Sequence, residues 1–150
     1  MWSTLWILGL VFLDQVTKYA AKCTFQGASD KVLVDGIFSL TYLENRGAAF
    51  GIFKDEKIIL IGLTAIVIIA LIIYLFKGKG ITRPINIALI LILGGAIGNL
   101  IDRVFLGYVI DFSHFYIGNV FDWPVFNIAD TCVVIGTVLM AVSILFSKEK

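Results

Sequence analysis

Residues 58–76 read IILIGLTAIVIIALIIYLF, nineteen consecutive residues without a charge. A helix that crosses a hydrocarbon core of roughly 30 Å needs about 20 mostly apolar residues, so this run is long enough to span. Two further stretches have the same character: Pro84–Ile101 and Thr131–Ser147, the latter extending back toward Trp123 if Asp130 is tolerated. The whole chain follows suit. Of its 150 residues 59% are hydrophobic and only 15% charged, and the mean hydropathy is +0.97. Soluble domains are roughly 45–50% apolar and about 25% charged, so a soluble enzyme or nucleic-acid binder is excluded. A net charge of +1 offers no footprint for a polyanion.

The N-terminal segment is a fourth candidate span. Met1–Leu13 is uncharged, and Asp14 and Lys18 then interrupt the apolar stretch before Ala21. A cleaved signal peptide would show a basic start and small residues before the cut. Met1–Thr4 carries no basic side chain, and Lys22 precedes Cys23 where a lipoprotein cleavage site wants a small residue. A retained helix, with Asp14 and Lys18 paired at i,i+4, fits better. The expected architecture is therefore one integral membrane domain over 1–150, a four-transmembrane-helix bundle with spans at about 2–21, 58–76, 84–103 and 126–147. Lys77, Lys79 and Arg83 occupy a short acid-free turn, and Lys148 and Lys150 flank the C-terminus, so the positive-inside rule puts both termini in the cytoplasm.

The two longer connections then face outward. In the first, Asp35-Gly36 separates the β-prone Val32-Leu33-Val34 from Ile37-Phe38, a hairpin signal, and Ser39 and Thr41 alternate with Phe38, Leu40 and Tyr42 as one half-wet strand would. This predicts a β-rich outer lobe over about 23–57. The second connection carries Phe105, Tyr108, Phe112, Phe115, Tyr116, Phe121 and Trp123. Aromatic residues favour the membrane–water interface, so an interfacial helical or aromatic segment along the bilayer surface is expected here.

Ionisable groups are costly in a bilayer, which makes their positions the best functional clue. Asp14, Asn99, Asp102, Arg103, Asn127 and Asp130 all fall toward the outer ends of the predicted helices, and Asp111 lies in the interfacial connection between the last two. Gly94, Gly95 and Gly98 include a GxxxG spacing that permits close helix approach, and Gly95, Asn99 and Arg103 share one face. On spacing alone Asp130 reads as a helix-start acid and Asp111 as a solvated loop acid. Brought together in a partly dry site, the two would instead share a proton and supply an acid and a base near neutral pH. Other chemistries have less support: His114 is the only histidine, Cys23 and Cys132 have no evident partner, and no HExxH or Gly-rich phosphate loop is present. A Mg²⁺ phosphotransferase using Asp102, Asp111 and Asp130 would want more carboxylates on the cytoplasmic side. An ion pathway would need polar residues at every depth, whereas 58–76 holds only Thr64 and Tyr74.

Five blocks together carry a resemblance: Asp14-Gln15 with Lys18, Asn45-Arg46-Gly47-Ala48-Ala49-Phe50, Gly94-Gly95-Ala96-Ile97-Gly98-Asn99-Leu100-Ile101-Asp102-Arg103, Gly107-Tyr108-Val109-Ile110-Asp111-Phe112 and Phe126-Asn127-Ile128-Ala129-Asp130. In this order they resemble the signal peptidase II family of lipoprotein signal peptidases. The resemblance implies an aspartyl peptidase of the bacterial cytoplasmic membrane that cuts prolipoproteins before a diacylglyceryl-modified cysteine, with its site at the outer leaflet boundary. It implies Asp111 and Asp130 as the catalytic dyad. Asn99 and Arg103 would hold substrate backbone and orient the dyad, Asn45 would face the site from the outer lobe, and Asn127 would steady the dyad. Asp102, Asp14, Lys18 and Gly95 would be supporting positions. It further implies no metal or other cofactor, membrane lipid and diacylglyceryl-prolipoproteins as partners, inhibition by globomycin-type cyclic peptides, and no nucleic acid.

Overall fold

The computed structural model describes residues 2–47, 56–118 and 120–146. Ala48-Ala49-Phe50, Lys148 and Lys150, used above, lie outside the described residues. The elements run α1 (Trp2–Phe25), β1 (Lys31–Val34), β2 (Phe38–Asn45), α2 (Lys57–Lys77), α3 (Arg83–Phe105), β3 (Val109–Ile117), β4 (Phe121–Asp122) and α4 (Ile128–Phe146). Among the described residues α2, α3 and α4 are long and apolar enough to cross a membrane. Helix α1 spans 24 residues, about 36 Å at the helical rise of 1.5 Å per residue, but carries Asp14, Lys18 and Lys22.

Helix α3 is central: half of its apolar span is buried, against 11% for α2 and 17% for α4. It packs on all three other helices, with Ile90 and Leu93 meeting Ile7 of α1 and Ile68 of α2 in the core. Glycine sets the spacing. A Cβ on Gly94 would meet Leu10 Cβ at 2.9 Å, one on Gly95 would run into the Ala129 carbonyl, and one on Gly136 of α4 would meet the Ala88 carbonyl at 2.9 Å. The helix backbones approach closely only because these side chains are absent. On the outward faces Trp2, Trp6, Phe12, Ile66, Phe76, Leu145 and Phe146 are exposed. So much uncovered apolar surface suits lipid rather than water.

The strands form one antiparallel sheet in the order β1-β2-β3-β4. The Asp35-Gly36 turn forms as expected: Gly36 takes φ +69°, which a side chain would strain, and Ile37 N–H donates to the Val34 carbonyl at 3.1 Å. Three expectations are corrected. The aromatic second connection is a strand rather than an interfacial helix, because Val109–Ile117 pairs along β2 from Asn45↔Val109 to Phe38↔Phe115. The lobe consequently extends beyond 23–57 to include β3 and β4. Ser39 is buried opposite His114 rather than wet, and α1 packs against β2.

Candidate active site

Helix α4 begins with a reciprocal cap. Asn127 Oδ1 accepts the Asp130 N–H at 2.8 Å, while the Asn127 N–H donates to Asp130 Oδ2 at 3.1 Å. Asparagine is a favoured N-cap, and an acid three residues on satisfies a free N–H in return. The cap fixes the Asp130 carboxylate at the positive end of the helix dipole. Asp130 Oδ1 accepts from Asn99 Nδ2 at 2.8 Å, so α3 grips the same carboxylate from the other side.

Asp111 arrives on β3. Its Oδ2 accepts from Asn45 Nδ2 at 2.8 Å and its Oδ1 from Asn127 Nδ2 at 2.7 Å. Asn127 therefore binds both carboxylates at once, Asp130 through its backbone and Asp111 through its side chain. Both line one cavity of about 590 Å³ with Asn45, Asn99 and Arg103. Burial, and then the neighbouring Asp130 charge, push the Asp111 carboxyl from 3.8 up to about 7; the amides of Asn45 and Asn127 pull the other way but do not cancel this. Asn45 also accepts the Gly47 N–H at 3.0 Å, and Arg103 Nη2 donates to the Gly47 carbonyl at 3.2 Å, which ties the chain leaving β2 to the end of α3.

Behind the cavity lies a buried ionic ring. Lys18 Nζ has three protons and three acceptors: Asp14 Oδ2 at 2.8 Å, Asp102 Oδ2 at 3.0 Å and Asn99 Oδ1 at 2.9 Å. Anchoring the Asn99 oxygen on Lys18 turns the Asn99 NH2 toward Asp130. Asp14 Oδ1 accepts from the Ala129 N–H at 3.0 Å and Asp102 Oδ2 from the Ile110 N–H at 3.1 Å, so the ring also positions the backbone next to each aspartate. Asp14, Lys18 and Asp102 are each at most 2% exposed. Charges so buried persist only when every lone pair and proton is matched, and among the described residues no buried side-chain polar atom lacks a partner. Gly95 touches neither aspartate; it seats the α4 backbone at Ala129 against α3.

The signal peptidase (SPase) II family profile matches residues 6–146. This chain belongs to the signal peptidase II family. The lipoprotein signal peptidase of Clostridium tetani (strain Massachusetts / E88) is 45% identical over 139 residues, covering 93% of this chain and 88% of that protein. The lipoprotein signal peptidase of Clostridium novyi (strain NT) is 40% identical and covers 93% of each chain. A bacterial membrane enzyme solved by the in meso method at 2.3 Å resolution superposes with a TM-score of 0.86 at 33% identity, over 98% of this chain and 89% of that one. A second such enzyme, solved at 1.9 Å, gives 0.83 at 35% identity, over 95% and 92%. The protein is thus a membrane protease of bacterial type.

Some residues around this candidate site of the signal peptidase II chain carry no signal in the sequence by themselves. Gln15 has no role that its own spacing reveals, yet its Nε2 donates to Asp102 Oδ1 at 3.0 Å and to the Gly98 carbonyl at 3.2 Å, joining α1 to α3. An uncharged amide one residue from a buried aspartate was the available signal. Trp123, Pro124, Val125 and Phe126 form one wall of the cavity, and Ala96, Val133 and Thr64 another. These walls are mostly apolar, and nothing in their sequence separates a cavity-facing valine from a lipid-facing one.

Proposed function

We propose that this protein is an aspartyl endopeptidase that removes the signal peptide from prolipoproteins, hydrolysing the bond before a diacylglyceryl-modified cysteine. The observation that carries the proposal is the single residue Asn127 holding Asp111 through its side-chain amide and Asp130 through its backbone N–H in one cavity. The names of its clostridial relatives support the lipoprotein substrate. The cavity supports it as well: apolar walls suit the side chains before the cut and the lipid chains, and the polar end holds Asn45, Asn99 and Arg103 for the peptide backbone.

Asp111, with its carboxyl raised to about 7, keeps the proton of the pair near neutral pH. Asp130, at a helix N-terminus and held by two N–H donors, is the base. It removes a proton from water as the oxygen attacks the scissile carbonyl, while Asp111 donates a hydrogen bond to the developing oxyanion. Collapse of the tetrahedral intermediate breaks the C–N bond, and the proton taken from water passes to the leaving amine. Arg103 lines the same cavity and offsets negative charge there. Four spans with both termini in the cytoplasm set this chemistry at the outer leaflet boundary, where an acyl-anchored cysteine presents its peptide bond.

The test is cleavage of a diacylglyceryl-modified prolipoprotein by wild type, Asp111→Asn and Asp130→Asn, with and without EDTA. Each variant should be slower by about 10²–10⁴-fold, the usual worth of acid–base catalysis, while EDTA leaves the wild type unaffected. Near wild-type cleavage by either folded variant sinks the dyad; loss of activity in EDTA sinks the mechanism.

A further inference from the structure

A second cavity, of about 470 Å³, opens at the C-terminal ends of α1 and α3. It is separate from the catalytic one. On α3, Ala96, Asn99 and Arg103 face the aspartates, while Ile101 and Phe105 face this cavity. At 3.6 residues per turn those two sets lie on opposite sides of the helix.

Its walls differ in kind. Gln15, Tyr19, Lys22 and Gln26 follow one another at spacings of four, three and four, which places them on one face of α1 and the turn after it. Ile101, Phe105, Leu106 and Ile110 form the facing apolar wall. The polar members are not equivalent. Lys18, at the floor, spends all three protons on Asp14, Asp102 and Asn99, and the Gln15 amide donates inward to Asp102. Lys22 is different: among the described residues it has no ion pair and no side-chain hydrogen bond. It lies in the last turn of α1, in a cavity whose lining contains no carboxylate. Phe105 and Tyr19 in its lining are exposed, and the cavity lies where α1 and the apolar span α3 end, the depth of lipid headgroups.

We propose that this cavity binds the headgroup of an anionic phospholipid, with its phosphate on the Lys22 ammonium, Gln26 beside it, and the glycerol and first methylenes along Ile101, Phe105 and Leu106. Two features select a lipid over a free anion. Four of the ten lining residues, Ile101, Phe105, Leu106 and Ile110, form an apolar wall, and Phe105 and Leu106 of that wall are also exposed. Charge complementarity selects the anionic class: one unpaired cation and no carboxylate favour a net negative headgroup over a zwitterion. The site stands apart from Asp111 and Asp130, so occupancy is separable from the chemistry.

The test is native mass spectrometry of the full-length protein in detergent, titrated with a phosphatidylglycerol, with a phosphatidylcholine of the same chains, or with inorganic phosphate. Wild type, Lys22→Gln and Lys22→Arg are compared. Wild type should prefer phosphatidylglycerol by about fivefold, the worth of one lysine near an anionic headgroup. Lys22→Gln should abolish the preference and Lys22→Arg keep it, with prolipoprotein cleavage in detergent unchanged in both. Equal lipid selectivity in wild type and Lys22→Gln overturns the site and leaves Lys22 an ordinary lysine reaching toward water. Saturation by inorganic phosphate at the concentration that suffices for phosphatidylglycerol overturns the lipid assignment.

Discussion

Replacing Asn127 with alanine separates what the residue does for folding from what it does for catalysis. Two strong interactions vanish, along with longer contacts from Nδ2 to Asn99 Oδ1 at 3.2 Å and to the Ile110 carbonyl at 3.3 Å. Above pH 7, where Asp111 is ionised, the bond from Nδ2 to Asp111 Oδ1 at 2.7 Å is a hydrogen bond to a charged group, worth about 1.5–3 kcal/mol. The cap from Asp130 N–H to Oδ1 at 2.8 Å is worth about 1 kcal/mol. The contact from the Asn127 N–H to Asp130 belongs to the backbone and survives. Asn127→Ala should therefore lose about 2.5–4 kcal/mol of stability in a detergent unfolding titration above pH 7. With Asp111 held by Asn45 alone, cleavage should fall by about 100-fold, as for a misplaced catalytic group. Asn127→Ser is the control. Its hydroxyl can accept the Asp130 N–H but offers no amide to Asp111, so about 1 kcal/mol should return while cleavage stays low. The reasoning is refuted if Asn127→Ala cleaves at near the wild-type rate, or if Asn127→Ser restores activity together with stability.

Cleavage should fall as pH rises through about 7, because Asp111 then loses the proton its role requires, and a pH profile of kcat/KM reports this directly. The same raised carboxyl has a consequence for folding. Below its unfolded value of 3.8 both states are protonated and Asp111 is neutral to stability; between there and about 7 the unfolded chain ionises first, so stability from this group declines and stays low above 7, which thermal midpoints across pH would detect. Lys18→Met strands Asp14 and Asp102 as buried, uncompensated charges and should cost about 3–5 kcal/mol, measurable by the same unfolding titration. Gly95→Ala drives a Cβ into the Ala129 carbonyl and should cost about 1–3 kcal/mol. Gly62→Ala on α2, which meets nothing within 4 Å, should instead gain about 0.5–1 kcal/mol, so a common sign for the two would contradict the packing described.

The helices were legible because their signal is local. An uncharged run at 58–76 becomes α2 at Lys57–Lys77, and 84–103 becomes α3 at Arg83–Phe105 with Pro84 at its start. The Asp14–Lys18 pair also followed from spacing within one helix, and the structure joins the two at 2.8 Å. β3 was not legible in this way. Its partner β2 lies some seventy residues earlier, and its many aromatic residues read equally well as an interfacial stretch. The candidate site divides along the same line. Asn127 and Asp130 are three residues apart, and their mutual cap could be expected from sequence. Asp111 meets them only because β3 pairs with β2, and before that pairing is known the local pattern reads it as a loop acid. The resemblance to signal peptidase II named these aspartates; local spacing left them apart. The contacts of Gln15 and the unpaired state of Lys22 depend on which side chains the folded helices bring together, and no window of sequence contains that information.

The pairing of β2 with β3 has one more consequence. Asp111 and Asn45 are carried by the sheet, Asp130 and Asn99 by the helices, so the two carboxylates ride on different bodies. Their separation is a property of the seam between those bodies rather than of either one. Lifting the sheet by a bond length would leave every strand and helix intact, spectroscopically native and still embedded, yet silent. Inhibition and regulation thus have a target away from the carboxylates: a molecule wedged into that seam disarms the pair without competing for either acid.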